Sequence, residues 1–164
     1  EATSGEVLFN GVNVHGKKSK KELKEFNRKM QMIFQDPYAS LNPRMTASEI
    51  ISEGFDIHGL YKNKKERQQK IGELLESVGL NREHANRYAH EFSGGQRQRL
   101  MIAVLGMLDK QIWLLDEPTA ALDEKSRDLV IKFLLDARCE GKTIVAVSHD
   151  PVFASRCSTI IQLD

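Results

Sequence analysis

The chain has 164 residues, a net charge of +1, and 40% hydrophobic and 29% charged side chains, which suits one soluble domain or one core with a small subdomain. So even a balance offers no general argument for nucleic-acid binding, and no apolar run approaches the ~20 residues that a membrane span needs. Cys139 and Cys157 stand at no metal-ligand spacing and, with no signal peptide in view, fit a reducing cytoplasm better than a disulfide framework.

In chain order, Val7, Leu8 and Phe9, the pair Asn10-Gly11, and then Val12, Asn13 and Val14 predict a hairpin, because Asn-Gly favours the tight turn between antiparallel strands. Ser19 and Glu22 have capping-box spacing and predict a short polar helix. The basic clusters at 17–21 and 62–65 read as solvated helix faces, since Glu22, Glu25 and Glu66 are interleaved with them or adjoin them. Residues 30–34 predict a buried strand, ended by Pro37, and 36–44 a loop.

Thr46 and Glu49 form a second capping-box pattern, opening a helix through about residue 57. Over 65–78, Ile71, Leu74, Leu75 and Val78 recur at helical spacing, with Gly79 as the stop. This middle stretch predicts no strand and reads as a helical insertion in an alternating chain. Ser93 is a candidate N-cap for a helix over 95–108. A strand (111–115), a helix (124–138), a strand (143–147), a short helix after Pro151 and a last strand (159–163) follow. Near-continuous apolar strands between helices predict a parallel sheet covered on both faces.

Four places carry chemistry. Asp116 and Glu117 sit where a buried strand emerges into a loop, the ligand edge of an open parallel sheet. Phosphoryl transfer needs a metal-shell carboxylate and a group that orients the attacking water, and this pair suits both tasks. Ser93, Gly94, Gly95 and Gln96 present a hydroxyl, open backbone N–H groups and a positive dipole end to an anion. His149 follows strand 143–147 and so reaches the same edge as Asp116, where it could contact a terminal phosphate. Gln35 also ends a strand, and its amide could reach a metal-bound water. His15, His58, His84 and His90 read as ordinary surface or core residues.

Taken together, these residues resemble the ATP-binding-cassette ATPases over essentially the whole chain. Ser93-Gly94-Gly95-Gln96 matches that family's signature, residues 112–117 its Walker B strand and catalytic glutamate, and Ala121-Leu122-Asp123 its D-loop. His149 matches the switch histidine and Gln35 the Q-loop glutamine. Residues 34–44 are similar to the ATPase subunits of bacterial oligopeptide and dipeptide importers, whereas Ala103-Val104-Leu105-Gly106 departs from that subgroup.

The resemblance implies an α/β fold: a partial RecA-like P-loop NTPase core with a mostly parallel sheet (1–35 and 109–164), plus a helical subdomain (36–108) ending in the signature helix. It implies Glu117 and His149 as catalytic residues, Ser93, Gly94, Gly95, Gln96 and Asp123 as ATP contacts, and Asp116 and Gln35 as Mg²⁺ contacts. It further implies a second ATPase subunit in a head-to-tail homo- or heterodimer, membrane-spanning permease subunits and no nucleic acid. The expected place is the cytoplasmic face of the plasma membrane, as a peripheral subunit.

The phosphate-cradling pattern G-x-x-x-x-G-K-[ST] occurs nowhere in these residues. The start at Glu1 looks internal, and the chain alone is expected to bind ATP weakly and barely hydrolyse it. The family's missing strand is expected beside the Walker B strand, so that its loss would drive rearrangement, swapping or oligomerisation. A non-catalytic cassette fragment, acting as scaffold or degenerate partner, remains the alternative. DNA-repair and translation cassettes fit less well, because the insertion is short.

Overall fold

Three parallel strands, β3 (Met30–Ile33), β4 (Ile112–Asp116) and β5 (Thr143–Val147), form a sheet in the order β3-β4-β5. The computed structural model describes residues 5–9, 11–13, 19–20, 29–33, 41–108 and 110–162. The expected N-terminal hairpin is present as β1 (Leu8–Phe9) and β2 (Val12–Asn13), paired antiparallel around Gly11, whose φ of +77° suits a residue without Cβ. Beyond Ser19 and Lys20, most of the helix predicted there, the glutamine Gln35 and most of the 36–44 loop lie outside the described residues.

Side-by-side residues of a parallel ladder share a face, and the register pairs Met32 with Leu114 and Leu114 with Val145. The opposite face carries Trp113 and Leu115, both buried under helices. Trp113 stacks on Phe133 at 6.1 Å between ring centroids and donates its indole N–H to the Lys110 carbonyl.

The expectation of a sheet covered on both faces is therefore corrected for the described residues. Met32, Val145 and Val147 are 45%, 54% and 60% exposed along one side. Two further corrections concern strands. Residues 159–162 form no strand, and Ile161 is 80% exposed. Thr-Ile-Ile-Gln has strand propensity, but a strand needs a neighbour to pair with, and none lies beside it among the described residues. Nor is there room for a further strand beside β4, since β3 and β5 occupy both its sides. Within this sheet the edge strands are β3 and β5.

The insertion between β3 and β4 is helical, as expected. Helix α1 (Ala47–His58) opens with the reciprocal Thr46–Glu49 box: the Glu49 amide donates to Thr46 Oγ1 (3.2 Å) and the Thr46 amide to Glu49 Oε2 (2.7 Å). Ala47, Ile51 and Phe55, four residues apart, form its buried stripe. Helix α2 (Lys64–Ser77) is capped by Asn63 and buries Ile71, Leu74 and Leu75. Gly79 ends the turn at φ +73°, and a Cβ there would meet Leu129 Cδ1 at 2.6 Å.

Two 3₁₀ turns (Arg82–Asn86 and Ala89–Glu91) lead into helix α3 (Gly94–Met107). Backbone bonds from Ala47 to the Arg87 carbonyl (2.9 Å) and from Ala89 to the Met45 carbonyl (3.0 Å) tie this entry to the start of α1. The position of Ser93 is thus set by the helical insertion. Helix α4 (Glu124–Cys139) crosses from β4 to β5, and the short α5 (Pro151–Ala154) follows β5. Where α3 meets α4, a Cβ on Gly106 would stand 2.6 Å from Phe133 Cζ. The absent side chain at Gly106 makes room for the ring that stacks on Trp113.

Candidate functional site

The parallel sheet brings two loops together at its C-terminal edge, one after β4 and one after β5. Asp116 is the last residue of β4 and is half-buried. Glu117 follows with φ at +47°, an uncommon conformation for a residue with a side chain. Its backbone is fixed on both sides. The Glu117 amide donates to the Val147 carbonyl (2.9 Å), and the Gln98 amide group donates to the Glu117 carbonyl (3.3 Å).

Both carboxylate oxygens of Glu117 are engaged by the β5 loop. The His149 amide donates to Oε1 (3.0 Å) and the Ser148 hydroxyl to Oε2 (3.3 Å). The Glu117 side chain is 12% exposed, while that of His149 is 97% exposed with Nε2 3.8 Å from Glu117 Oε1. The structure thus unites Glu117 with His149, as expected from sequence, and leaves the imidazole open to solvent.

Ser93 caps α3 in a reciprocal box with Gln96: Ser93 Oγ accepts from the Gln96 amide (3.3 Å) and Gln96 Oε1 from the Ser93 amide (3.0 Å). The paired glycines differ. A Cβ on Gly94 would meet nothing within 4 Å, whereas one on Gly95 would meet the Ala121 carbonyl oxygen at 2.6 Å. Gly95 is therefore needed for the signature turn to pack on residues 121–122, and Gly94 keeps open space at the helix start. Arg97 is buried and donates to the Phe92 carbonyl from Nε (2.9 Å) and Nη2 (2.5 Å), which locks the turn before the helix.

Asp123 is the N-cap of α4. Its Oδ1 accepts from the Ser126 amide and its Oδ2 from the Ser126 hydroxyl, each at 2.9 Å. The amide bond first, then the hydroxyl and the distant Arg99 charge, hold its carboxyl below the usual range despite some desolvation.

Four residues carry the site's architecture without having been singled out for chemistry in the sequence. Gln98 grips the Glu117 carbonyl. The buried Thr119 donates its hydroxyl to Asp150 Oδ2 (2.9 Å), Arg127 faces the same oxygen at 3.9 Å, and Asp150 caps α5 through the Val152 and Phe153 amides. Asp150 directly before Pro151 was a legible N-cap signal. Burial disfavours the Asp150 charge, but Thr119, the two amides and Arg127 together outweigh it and keep the carboxyl below its ordinary value. Glu117, Thr119, Leu122, Arg127, His149 and Asp150 line one open cleft of about 470 Å³.

No group of three His, Cys, Asp or Glu side chains at metal-binding spacing occurs among the described residues. Mg²⁺ usually takes one or two carboxylates, with waters and substrate phosphates filling the remaining positions. A single Asp116 at the strand end fits that chemistry.

The fold and this edge define the class: an α/β protein with a parallel sheet, a ligand edge at its C-terminal side and a helical insertion. A solved structure titled as the dimeric post-hydrolysis state of the ATP-binding cassette MJ0796 bound to ADP and Pi superposes at a TM-score of 0.78 with 30% identity, covering 94% of this chain and 66% of that one. The cbiO1 structure from Clostridium perfringens superposes at 0.66 with 25% identity, covering 92% and 60%. The family described as ABC transporter matches residues 1–120, and the chain belongs to that family.

Among curated proteins, it is 62% identical over 151 residues to the oligopeptide transport ATP-binding protein OppF of Bacillus subtilis, covering 92% of this chain and 50% of that protein. The dipeptide transport ATP-binding protein DppF of Lactococcus lactis is 46% identical over 149 residues, covering 90% and 47%. The chain thus spans about half the length of the curated relatives it matches.

Proposed function

We propose that these residues belong to an ATP-binding and ATP-hydrolysing subunit of an ABC importer for peptides. The names of the 62% identical OppF and the 46% identical DppF support the solute class. The single observation that carries the chemistry is the grip of Ser148 and His149 on both oxygens of Glu117, at the strand end that also bears Asp116. A carboxylate held in this way is pre-aimed, which removes orientational freedom before a water is activated.

In this reading Asp116, with Gln35, contacts Mg²⁺, which when bound neutralises charge on the phosphates. Glu117 orients and deprotonates the attacking water. His149, its imidazole exposed, contacts the terminal phosphate. The α3 start offers the free N–H groups of the Gly94 side and the Ser93 hydroxyl to ATP held by a second subunit, and Asp123 faces that subunit across the junction. Ser93 and Asp123 must then exchange their present cap bonds to Gln96 and Ser126 for ligand or partner contacts. We divide the chain into a RecA-like core (1–35 and 109–164) and a helical subdomain (36–108). The close packing of α1, α2 and α3 on one another supports that division.

The partners are a second cassette subunit and membrane-spanning permeases, met at the cytoplasmic face of the membrane. No helix among the described residues is long and apolar enough to cross a membrane itself. Because no lysine-bearing glycine-rich cradle is present in these 164 residues, they bind ATP weakly when isolated. The test is ATP turnover by the full-length gene product. Glu117→Gln should lower kcat by at least about 100-fold with nucleotide affinity retained, and an unchanged kcat would overturn the reading.

A further inference from the structure

The proposed chemistry leaves three polar side chains of the cleft without a task, and all three meet at one carboxylate. Asp150 divides its oxygens: Oδ1 accepts from the amides that open α5 (2.9 and 3.4 Å), and Oδ2 accepts the Thr119 hydroxyl at 2.9 Å. Arg127 on α4 faces the same Oδ2 from 3.9 Å, with its Nε buried and without a hydrogen-bond partner. The Asp150 amide in turn donates to Ser148 Oγ (3.1 Å), the hydroxyl that holds Glu117. One residue thus joins the loop after β4, the helix α4 and the loop after β5.

We propose that Asp150 is the central positioning residue of a latch, completed by Thr119 and Arg127, that fixes the Ser148–His149 loop against Glu117. The inference deepens the ATPase reading and rests on Glu117 as the water-orienting base. None of the three touches the reacting atoms. Their effect passes from the Asp150 backbone amide to Ser148 Oγ and from that hydroxyl to Glu117, whose other carboxylate oxygen accepts the His149 amide. A buried guanidinium nitrogen that lacks a bond is costly, and its neighbour at 3.9 Å gives it a partner to close on. Asp150→Asn isolates this function. The Asn oxygen can still cap α5 and its NH₂ can donate to the Thr119 hydroxyl, so the fold is retained, but a neutral donor then confronts Arg127.

The test compares the full-length gene product with E117Q, D150N, R127L and R127K in two measurements. The first is the steady-state rate of ATP turnover. The second is backbone hydrogen exchange at the His149 amide, with the Thr143 amide (bonded to the Gln111 carbonyl at 2.8 Å) as internal control. A latch predicts that D150N and R127L lower kcat about tenfold with KM within about twofold, the signature of lost orientation rather than lost binding. It also predicts faster exchange at His149 but not at Thr143, and recovery of both readouts in R127K.

Unchanged kcat and exchange would overturn the latch, as would a kcat loss without faster His149 exchange or a KM that rises in step. If the wild type turns over no ATP and E117Q is indistinguishable from it, the ATPase reading fails on its own. The exchange measurement then still decides whether the latch exists.

Discussion

At the residue scale, the two glycines of the signature turn separate a packing role from a binding role. Gly95→Ala pushes a methyl into the Ala121 carbonyl oxygen, 2.6 Å away, whereas Gly94→Ala meets open space. Urea unfolding should show Gly95→Ala destabilised by about 1–3 kcal/mol and Gly94→Ala within about 0.5 kcal/mol of wild type. Equal losses would show that the two positions are not distinguished by packing.

Asp150 supports a pH prediction. Its carboxyl is held below the ordinary value of 3.8, so folding gains stability above that value and loses it as pH falls through the lower, folded-state value. Asp150→Asn should therefore flatten the acid limb of a stability–pH curve below about pH 4, leaving the contributions of Glu49, Asp56, Glu76 and Asp123, whose carboxyls are also lowered. An acid limb unchanged in the variant would contradict this. At this scale the sequence was informative where a residue's neighbours are local: Thr46–Glu49, Ser93–Gln96 and Asp150–Pro151 are all readable from spacing. The Thr119–Asp150 bond was not readable, because it spans 31 residues and depends on the β4–β5 register.

At the element scale, the helices of the insertion were legible from capping boxes and apolar stripes, and the strands from their short apolar runs. What the runs could not supply was facing. Ile112, Trp113, Leu114 and Leu115 are all apolar, so no alternation announces that Trp113 and Leu115 meet helices while Leu114 lies in the row beside Met32 and Val145. The α3–α4 crossing was equally hidden. A side chain at Gly106 would press on Phe133 across that crossing, a contact no local pattern announces.

That contact makes a coupled prediction. Gly106→Ala alone should cost about 1–3 kcal/mol by crowding the ring, and much of that should be relieved in a Phe133→Leu background, giving a coupling energy above about 0.5 kcal/mol. Additive losses in denaturant titrations would show that the two residues do not share the space.

At the scale of the whole molecule, one sheet face is open among the described residues. Val145, Val147 and Met32 present apolar side chains, and β5 offers a free ladder edge. The 164-residue chain by itself should therefore self-associate at micromolar concentration in sedimentation velocity, and Val145→Lys should reduce that association. A monomer that unfolds cooperatively and is unaffected by the substitution would contradict this expectation. The sequence pointed to such an edge but assigned it to β4; in the observed order β3 and β5 flank β4 and are themselves the edge strands.

In the proposed function, Ser93 and Gly94 of one copy close over a triphosphate gripped by another, with Glu117 aimed at it. Size-exclusion chromatography of the full-length gene product carrying Glu117→Gln, with ATP and Mg²⁺, tests this most directly. The expected result is a stable dimer that dissociates when Ser93→Arg is added, even though that double variant still binds ATP. A Glu117→Gln protein that binds ATP yet stays monomeric, or a dimer indifferent to Ser93→Arg, would contradict it.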